Sequence, residues 1–258
     1  MNLTRVLAIN FVLILSLFLC ACQTEKKTDK LNIFAAASLN DVLTKTAELY
    51  KKETGVKLSL NFASSGLLAR QIEQGAEVDF FFSANQDWVD YISDKELLLA
   101  SSKLDLAQNR MALIVPKGSQ QNKLDNFKPK EINSLFEGRI AIGDPNHVPA
   151  GKYAKEILEH YDIWETLKTR ILPCKNARET LLMVEMGEVD LGIVYLSDAK
   201  KSKKIRCIYE FEESSSSPIF YFSAHRTNPN SKVLDFQKFL KQAESKRIWK
   251  DYAFIIHD

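Results

Sequence analysis

Apolar and polar positions along this chain follow two spacings in turn, and the switch between them predicts alternating strands and helices. Leu31 to Ala35 is a short apolar run expected to be a strand, and beyond Ser38 the residues Leu39, Val42, Leu43, Thr46, Leu49 and Tyr50 recur at helical spacing. Val56 to Phe62 alternates, with Val56, Leu58, Leu60 and Phe62 on one face, as a half-buried strand requires. Leu67, Leu68 and Ile72 mark a helix, Val78 to Phe82 a strand, and Trp88 to Ile92 another helix. A βαβαβα order of this kind predicts a mostly parallel sheet covered on both faces.

A second series follows the polar stretch from Ser101 to Asn109. Met111 to Val115 is a strand closed by Pro116, and Lys117 to Lys130 reads as a polar connection. Ile140 to Gly143 is a strand leading into G-D-P-N-H-V-P-A-G, after which Tyr153, Ala154, Ile157, Leu158 and Tyr161 share a helical face. Asn176 is placed to cap a helix ending at Gly187, with Glu179 at the third position. Leu191 to Leu196 is a strand, Ile205 to Tyr209 and Ile219 to Ala224 resemble edge strands, and two helices from about Asn230 to Phe254 close the chain. The lysine run 200–204 and the run 212–217 read as solvated loops.

The pattern thus predicts two Rossmann-like α/β lobes joined by two crossings, with a site in the cleft outside the carboxyl ends of the strands. The first lobe is expected at 31–108 and 225–258 and the second at 109–224. Before them, Arg5 precedes an apolar run of 14 residues, Val6 to Leu19, too short to span a membrane and suited to a signal peptide over residues 1–21. The L-C-A-C that follows resembles a bacterial lipobox, which makes Cys22 the acylated first residue of the mature chain. Residues 22–30 then form a tether, about 26 Å at full stretch.

Loss of the signal removes only Arg5 among charged residues and leaves 34 basic against 33 acidic, a net charge of +1. That balance gives no electrostatic case for nucleic acid. Cys174 and Cys207 lack metal-ligand spacing, and their pairing stays open. His147 stands far in sequence from the other histidines and reads as structural, and Arg70 and Arg178 read as surface or supporting charges. Motifs of the common hydrolases, kinases, nucleotide-binding enzymes and zinc proteases are missing, so no catalytic residue and no cofactor is expected.

The candidate chemistry lies where strands give way to helices. F-A-A-A-S ends at Ser38, F-A-S-S-G surrounds Ser65, and G-D-P-N-H-V-P-A-G ends at Gly151. Such junctions offer hydroxyls and helix-terminal N–H groups, which hold an anion without a cationic side chain. Each also has a plainer reading: Ser38 and Ser65 as helix caps, Tyr195 as a core aromatic.

These segments, with L-A-R-Q-I-E at 68–73, Y-A-K-E at 153–156 and L-G-I-V-Y at 191–195, resemble the periplasmic molybdate-binding proteins of molybdate ABC importers, which are class II solute-binding proteins. The resemblance covers nearly the whole mature chain. It implies a tetrahedral oxyanion held by the hydroxyls of Ser38, Ser65 and Tyr195 and the backbone N–H groups of Ala150 and Ala177, with molybdenum entering only as the bound oxyanion and no protein atom on the metal. It further implies molybdate or tungstate as ligand, a membrane permease as partner, a monomer, and a place outside the cytoplasm, attached through lipid on Cys22. Members commonly carry Val at the position of Ala177 and a hydroxyl residue at that of Gly66. Binding of another solute, such as sulfate, a metal ion or an organic acid, is the nearer alternative and an enzyme the more distant one.

Overall fold

The computed structural model describes residues 30–120 and 128–256. The expected signal peptide, Cys22 and the tether as far as residue 29 lie outside the described residues.

The first series is β1 (Lys30–Ala36), α1 (Asn40–Thr54), β2 (Lys57–Ala63), α2 (Ser65–Glu73), β3 (Phe80–Ser83), α3 (Gln86–Ser93) and β4 (Leu104–Asn109). The second is β5 (Met111–Pro116), β6 (Ile140–Gly143), α4 (Pro149–His160), α5 (Trp164–Leu167), β7 (Ile171–Cys174), α6 (Ala177–Glu185), β8 (Leu191–Tyr195), α7 (Leu196–Lys201) and β9 (Ile205–Glu210). The chain then returns through β10 (Ile219–His225) and ends in α8 (Ser231–Leu240) and α9 (Ala243–Asp251).

Two mixed five-stranded sheets result, ordered β2-β1-β3-β10-β4 and β7-β6-β8-β5-β9. In each, three neighbouring strands are parallel, and the strand beside them runs antiparallel. Those parallel strands put their carboxyl ends, and so the starts of the helices that follow, on one edge of each sheet.

The structure departs from the sequence pattern in four places. The polar stretch 101–109 contains β4, whose Asp105, Gln108 and Asn109 are tolerated because it is an outer strand of the first sheet. Ile219–His225, expected at an edge and in the second lobe, lies between β3 and β4 inside the first sheet. The return crossing therefore falls in 211–218, ahead of Ile219 rather than near Ala224, while the outward crossing is Arg110, between β4 and β5. Lys200 and Lys201 form the last turn of α7, not a loop, and the Lys201 ammonium sits 4.3 Å from the centre of the Tyr252 ring. Finally, β7 had no signal in the sequence because Pro173 interrupts it, a residue tolerated there because β7 is an edge strand.

An aromatic cluster seals α8 to the first sheet. Phe236 is fully buried, meets Phe80 edge to face at 5.1 Å between ring centres, and lies 4.9 Å from Tyr50 of α1. Apolar contact also continues across the cleft, since Ala36, Ala150, Ala177 and Tyr195 belong to one buried cluster with the cores of both lobes.

Because Phe236 joins α1, β3 and α8, Phe236→Ala is expected to destabilise the protein by about 3–5 kcal/mol through lost burial and the cavity left behind. Urea unfolding measures this. A loss below about 1 kcal/mol would show that α8 is not sealed by this ring.

Candidate functional site

The G-D-P-N-H-V-P-A-G segment explains itself residue by residue. Asp144 Oδ1 accepts from Asn146 N at 2.9 Å and its carbonyl accepts from Val148 N at 2.9 Å, which folds the turn. Pro149 then occupies the first position of α4, where its missing N–H costs nothing. Gly151 lets the helix pack directly on the end of β6, since a Cβ there would meet the Gly143 carbonyl oxygen at 2.1 Å. Ala150 is thereby left at the second helical position with an N–H that has no partner within the helix. Ala177 opens α6 in the same way, behind Asn176, whose Oδ1 accepts from Glu179 N at 2.9 Å.

The two serines expected as ligands are not helix caps. Ser64, one residue earlier, caps α2 by accepting from Leu67 N at 3.3 Å, and Ser38 lies in the turn Ala37–Leu39 ahead of α1 with no capping bond. Ser38 Oγ instead accepts from the Tyr221 hydroxyl at 3.0 Å, and Ser65 Oγ accepts from Ala84 N at 3.1 Å. With those lone pairs engaged, each hydroxyl proton is left for an acceptor outside this network. The Tyr195 hydroxyl is buried and makes no hydrogen bond among the described residues. Burial, and after it the neighbouring Tyr221, push its pKa well above the ordinary value, so it stays a protonated donor.

All five residues named from the sequence line one pocket between the lobes. Ser38 and Ser65 come from the first lobe and Ala150, Ala177 and Tyr195 from the second, with Ala84, Val148 and Pro149 among the other walls. The five are each at most 5% exposed. No carboxylate and no cationic side chain lines the pocket. The pocket is small, which suits a compact solute. Every one of the five sits at or just before a helix start, so helix dipoles converge on it.

The lobes meet closely around this pocket. At Gly66 a Cβ would lie 2.5 Å from the His147 carbonyl oxygen of the other lobe and 2.7 Å from the Trp88 ring, so the position leaves no room for a side chain. The Tyr153 hydroxyl donates across the cleft to the Ala84 carbonyl at 3.3 Å, and Lys152 pairs with Asp87 at the exposed rim. His147 is 3.5 Å from the Asp144 carboxylate at the mouth, and among the described residues no group of three or more His, Cys, Asp or Glu side chains is placed to hold a metal ion. Arg70 is exposed near Trp88, as a surface charge, whereas Arg178 is no surface charge: it reaches across the cleft to Asp41. Cys174 and Cys207 lie on the two opposite edge strands of the second sheet, four strand spacings or about 19 Å apart, too far for a disulfide.

Two residues of the site had no signal in the sequence. Tyr221, on β10, donates to Ser38, and Asn109, at the outward crossing, donates to the Tyr221 hydroxyl at 3.4 Å and to Ser197 Oγ at 2.8 Å. The chain of bonds Asn109 to Tyr221 to Ser38 fixes which way the Ser38 proton points.

Residues 31–255 match the model of a family described as bacterial extracellular solute-binding proteins. The chain belongs to that family. Among relatives of this solute-binding protein, the molybdate-binding protein ModA of Escherichia coli (strain K12) is 40% identical over 229 residues, 88% of this chain and 89% of the relative. A putative ABC transporter substrate-binding lipoprotein of Bacillus subtilis (strain 168), YvgL, is 34% identical over 90% of this chain and 88% of its own length. In structure, the substrate-binding domain of a putative molybdenum ABC transporter from Clostridium difficile superposes with a TM-score of 0.68 at 33% identity, covering 89% of this chain and 99% of that one.

Beside the pocket of this solute-binding protein, Asp198 is 2% exposed and its Oδ2 makes no hydrogen bond. Burial pushes its carboxyl from an ordinary 3.8 up to about 7, with Arg178 opposing the shift and Asp41 adding to it. The folded state therefore holds this proton more tightly than the unfolded state. Its contribution to stability is full below about 3.8 and is lost as pH rises to about 7. The stability of the native protein relative to Asp198→Asn is expected to fall between pH 4 and 7 and to level off above, as read from urea midpoints. A difference that does not change with pH would mean that Asp198 is ionised throughout.

Proposed function

We propose that this protein captures molybdate, and tungstate as the dianion of the same form, outside the cytoplasm and delivers it to the membrane permease of an ABC importer. The observation that carries this reading is the buried pocket whose polar contributions are donors: three hydroxyls, two of them with a lone pair already engaged, and the N–H groups of Ala150 and Ala177. A fully deprotonated oxyanion matches donors alone. Hydrogen phosphate brings a proton that needs an acceptor, and the lining holds no carboxylate to supply one. The named relatives from Escherichia coli and Clostridium difficile support the choice of molybdate among such anions. Attachment through lipid on Cys22, with a single copy as the working unit, completes the reading, and the Bacillus subtilis relative described as a lipoprotein supports the anchor.

A ligand that binds only the folded state stabilises by about 2.7 kcal/mol at a hundredfold excess over its Kd, or roughly 5–10 °C in melting temperature for a protein of this size. Molybdate and tungstate at micromolar concentration are expected to give such a shift, and sulfate and phosphate much less. An equal or larger shift with sulfate or phosphate overturns the choice of ligand, and turnover of any compound overturns the carrier.

Deleting one hydroxyl leaves an enclosed anion oxygen short of a donor, at a cost of about 1–3 kcal/mol or roughly tenfold to a hundredfold in affinity. Ser38→Ala, Ser65→Ala and Tyr195→Phe are each expected to weaken molybdate binding by that much in calorimetry. Ala177→Val keeps its N–H and is expected to be nearly neutral. Three hydroxyl deletions with native affinity would move the site elsewhere.

The anchor is tested separately. Native protein is expected to partition with membranes, and Cys22→Ser to remain an unprocessed precursor without lipid. Intact mass of membrane-extracted native protein showing no lipid increment removes this part of the reading.

A further inference from the structure

A charged contact between the lobes lies one residue away from the pocket and is not used by it. Arg178, directly after Ala177 in the first turn of α6, places Nη2 at 2.6 Å from Asp41 Oδ2 in the first turn of α1. The same Nη2 lies 3.4 Å from Oδ1 of the buried Asp198 in its own lobe. Asp41 stands three residues after Ser38. The ion pair thus ties together the two helix starts that supply Ser38 and Ala177 to opposite walls of the pocket.

We propose that Arg178 is a positioning residue, a latch that Asp198 holds ready in the second lobe and that closes on Asp41 when the lobes come together. This inference rests on the proposed capture of an oxyanion in the same cleft.

Arg178 and Asp198 are both in the second lobe, on α6 and α7, so their pairing survives separation of the lobes. Asp41 belongs to the first lobe and can meet Arg178 only when the cleft is shut. Only contacts that differ between two states shift their balance, so the bias comes from Asp41. Another ion pair across the cleft, Lys152 with Asp87, has side chains 44% and 64% exposed, and pairs in that setting contribute little. Arg178 and Asp41 are 31% and 42% exposed, each less than either side chain of that pair, and Arg178 alone is backed by a second, buried carboxyl group, that of Asp198. Apparent affinity scales with the fraction of molecules in the binding-competent state, so loss of the latch is expected to weaken capture without touching a single donor.

The decisive variant is Asp41→Asn, which keeps shape and removes the charge that exists at the contact only after closure. Molybdate Kd is expected to rise about tenfold, mainly through faster release in stopped-flow measurements, with the unliganded melting temperature unchanged. Asp41→Glu is expected to restore most of the affinity. In an Arg178→Gln background, Asp41→Asn is expected to add nothing further. Native Kd and release rate in Asp41→Asn overturn the latch, as does a fall in unliganded stability large enough to account for the weaker binding. If the unaltered protein binds no oxyanion, the proposed function has failed and the latch, which rests on it, is overturned with it; if the unaltered protein binds and Asp41→Asn binds equally well, the latch alone is overturned.

Discussion

A helix buried at its start leaves N–H groups that nothing within the helix can satisfy, and this protein brings several such starts to one buried pocket. An isolated orphan donor costs about 1–3 kcal/mol when desolvated, so the arrangement persists only because the donors share a purpose. The sheets exist to deliver it. β1, β2, β6 and β8 each run parallel to at least one neighbour and release the chain on the cleft side, where Tyr195 ends β8 and Ser38, Ser65 and Ala150 follow their strands within a few residues. The packing of α4 on β6 through Gly151, and the approach of α2 to the opposite lobe through Gly66, then set how closely these starts converge.

Hydroxyls behave as donors or acceptors according to what surrounds them, and here the surroundings decide. Ser38 receives a hydrogen bond from Tyr221, outside the pocket walls, and Ser65 one from the backbone N–H of Ala84, so each keeps its proton to donate elsewhere. The backbone N–H groups have no such ambiguity. A pocket made this way recognises an acceptor that carries no proton of its own, and it does so through geometry more than through net charge. The chain's small net charge of +2 agrees with that, since no long-range field is needed to define the site.

How far this was legible in the sequence depends on how local each cause is. The segment 143–151 was readable because its turn, its helix-opening Pro149 and its packing glycine act within nine residues. Ser38 and Ser65, read locally, suggest caps, and only the family resemblance marked them as something else. The cap at α2 is Ser64, a neighbour that local reading does not separate from Ser65. Tyr221 could not be found in this way: it lies 183 residues from Ser38, in a strand whose aromatic content reads as core. β4 and β10 were misread for a related reason. Pairing between strands more than a hundred residues apart leaves no periodic trace in either segment.

Placing the cation one layer behind the pocket has a physical consequence of its own. A guanidinium set directly on a dianion forms a buried ion pair that is costly to separate, which opposes release. Here Arg178 faces two carboxylates, Asp41 and Asp198, and leaves the pocket wall to neutral dipoles. The field that holds the anion is then spread over helix starts that belong to both lobes. No single lobe carries the whole set of donors, so an anion held by one lobe alone remains half-satisfied, and the full set is reached only on closure. On the proposed reading, binding and closure become one event because the donors are divided between the lobes, and opening the cleft separates the two sets.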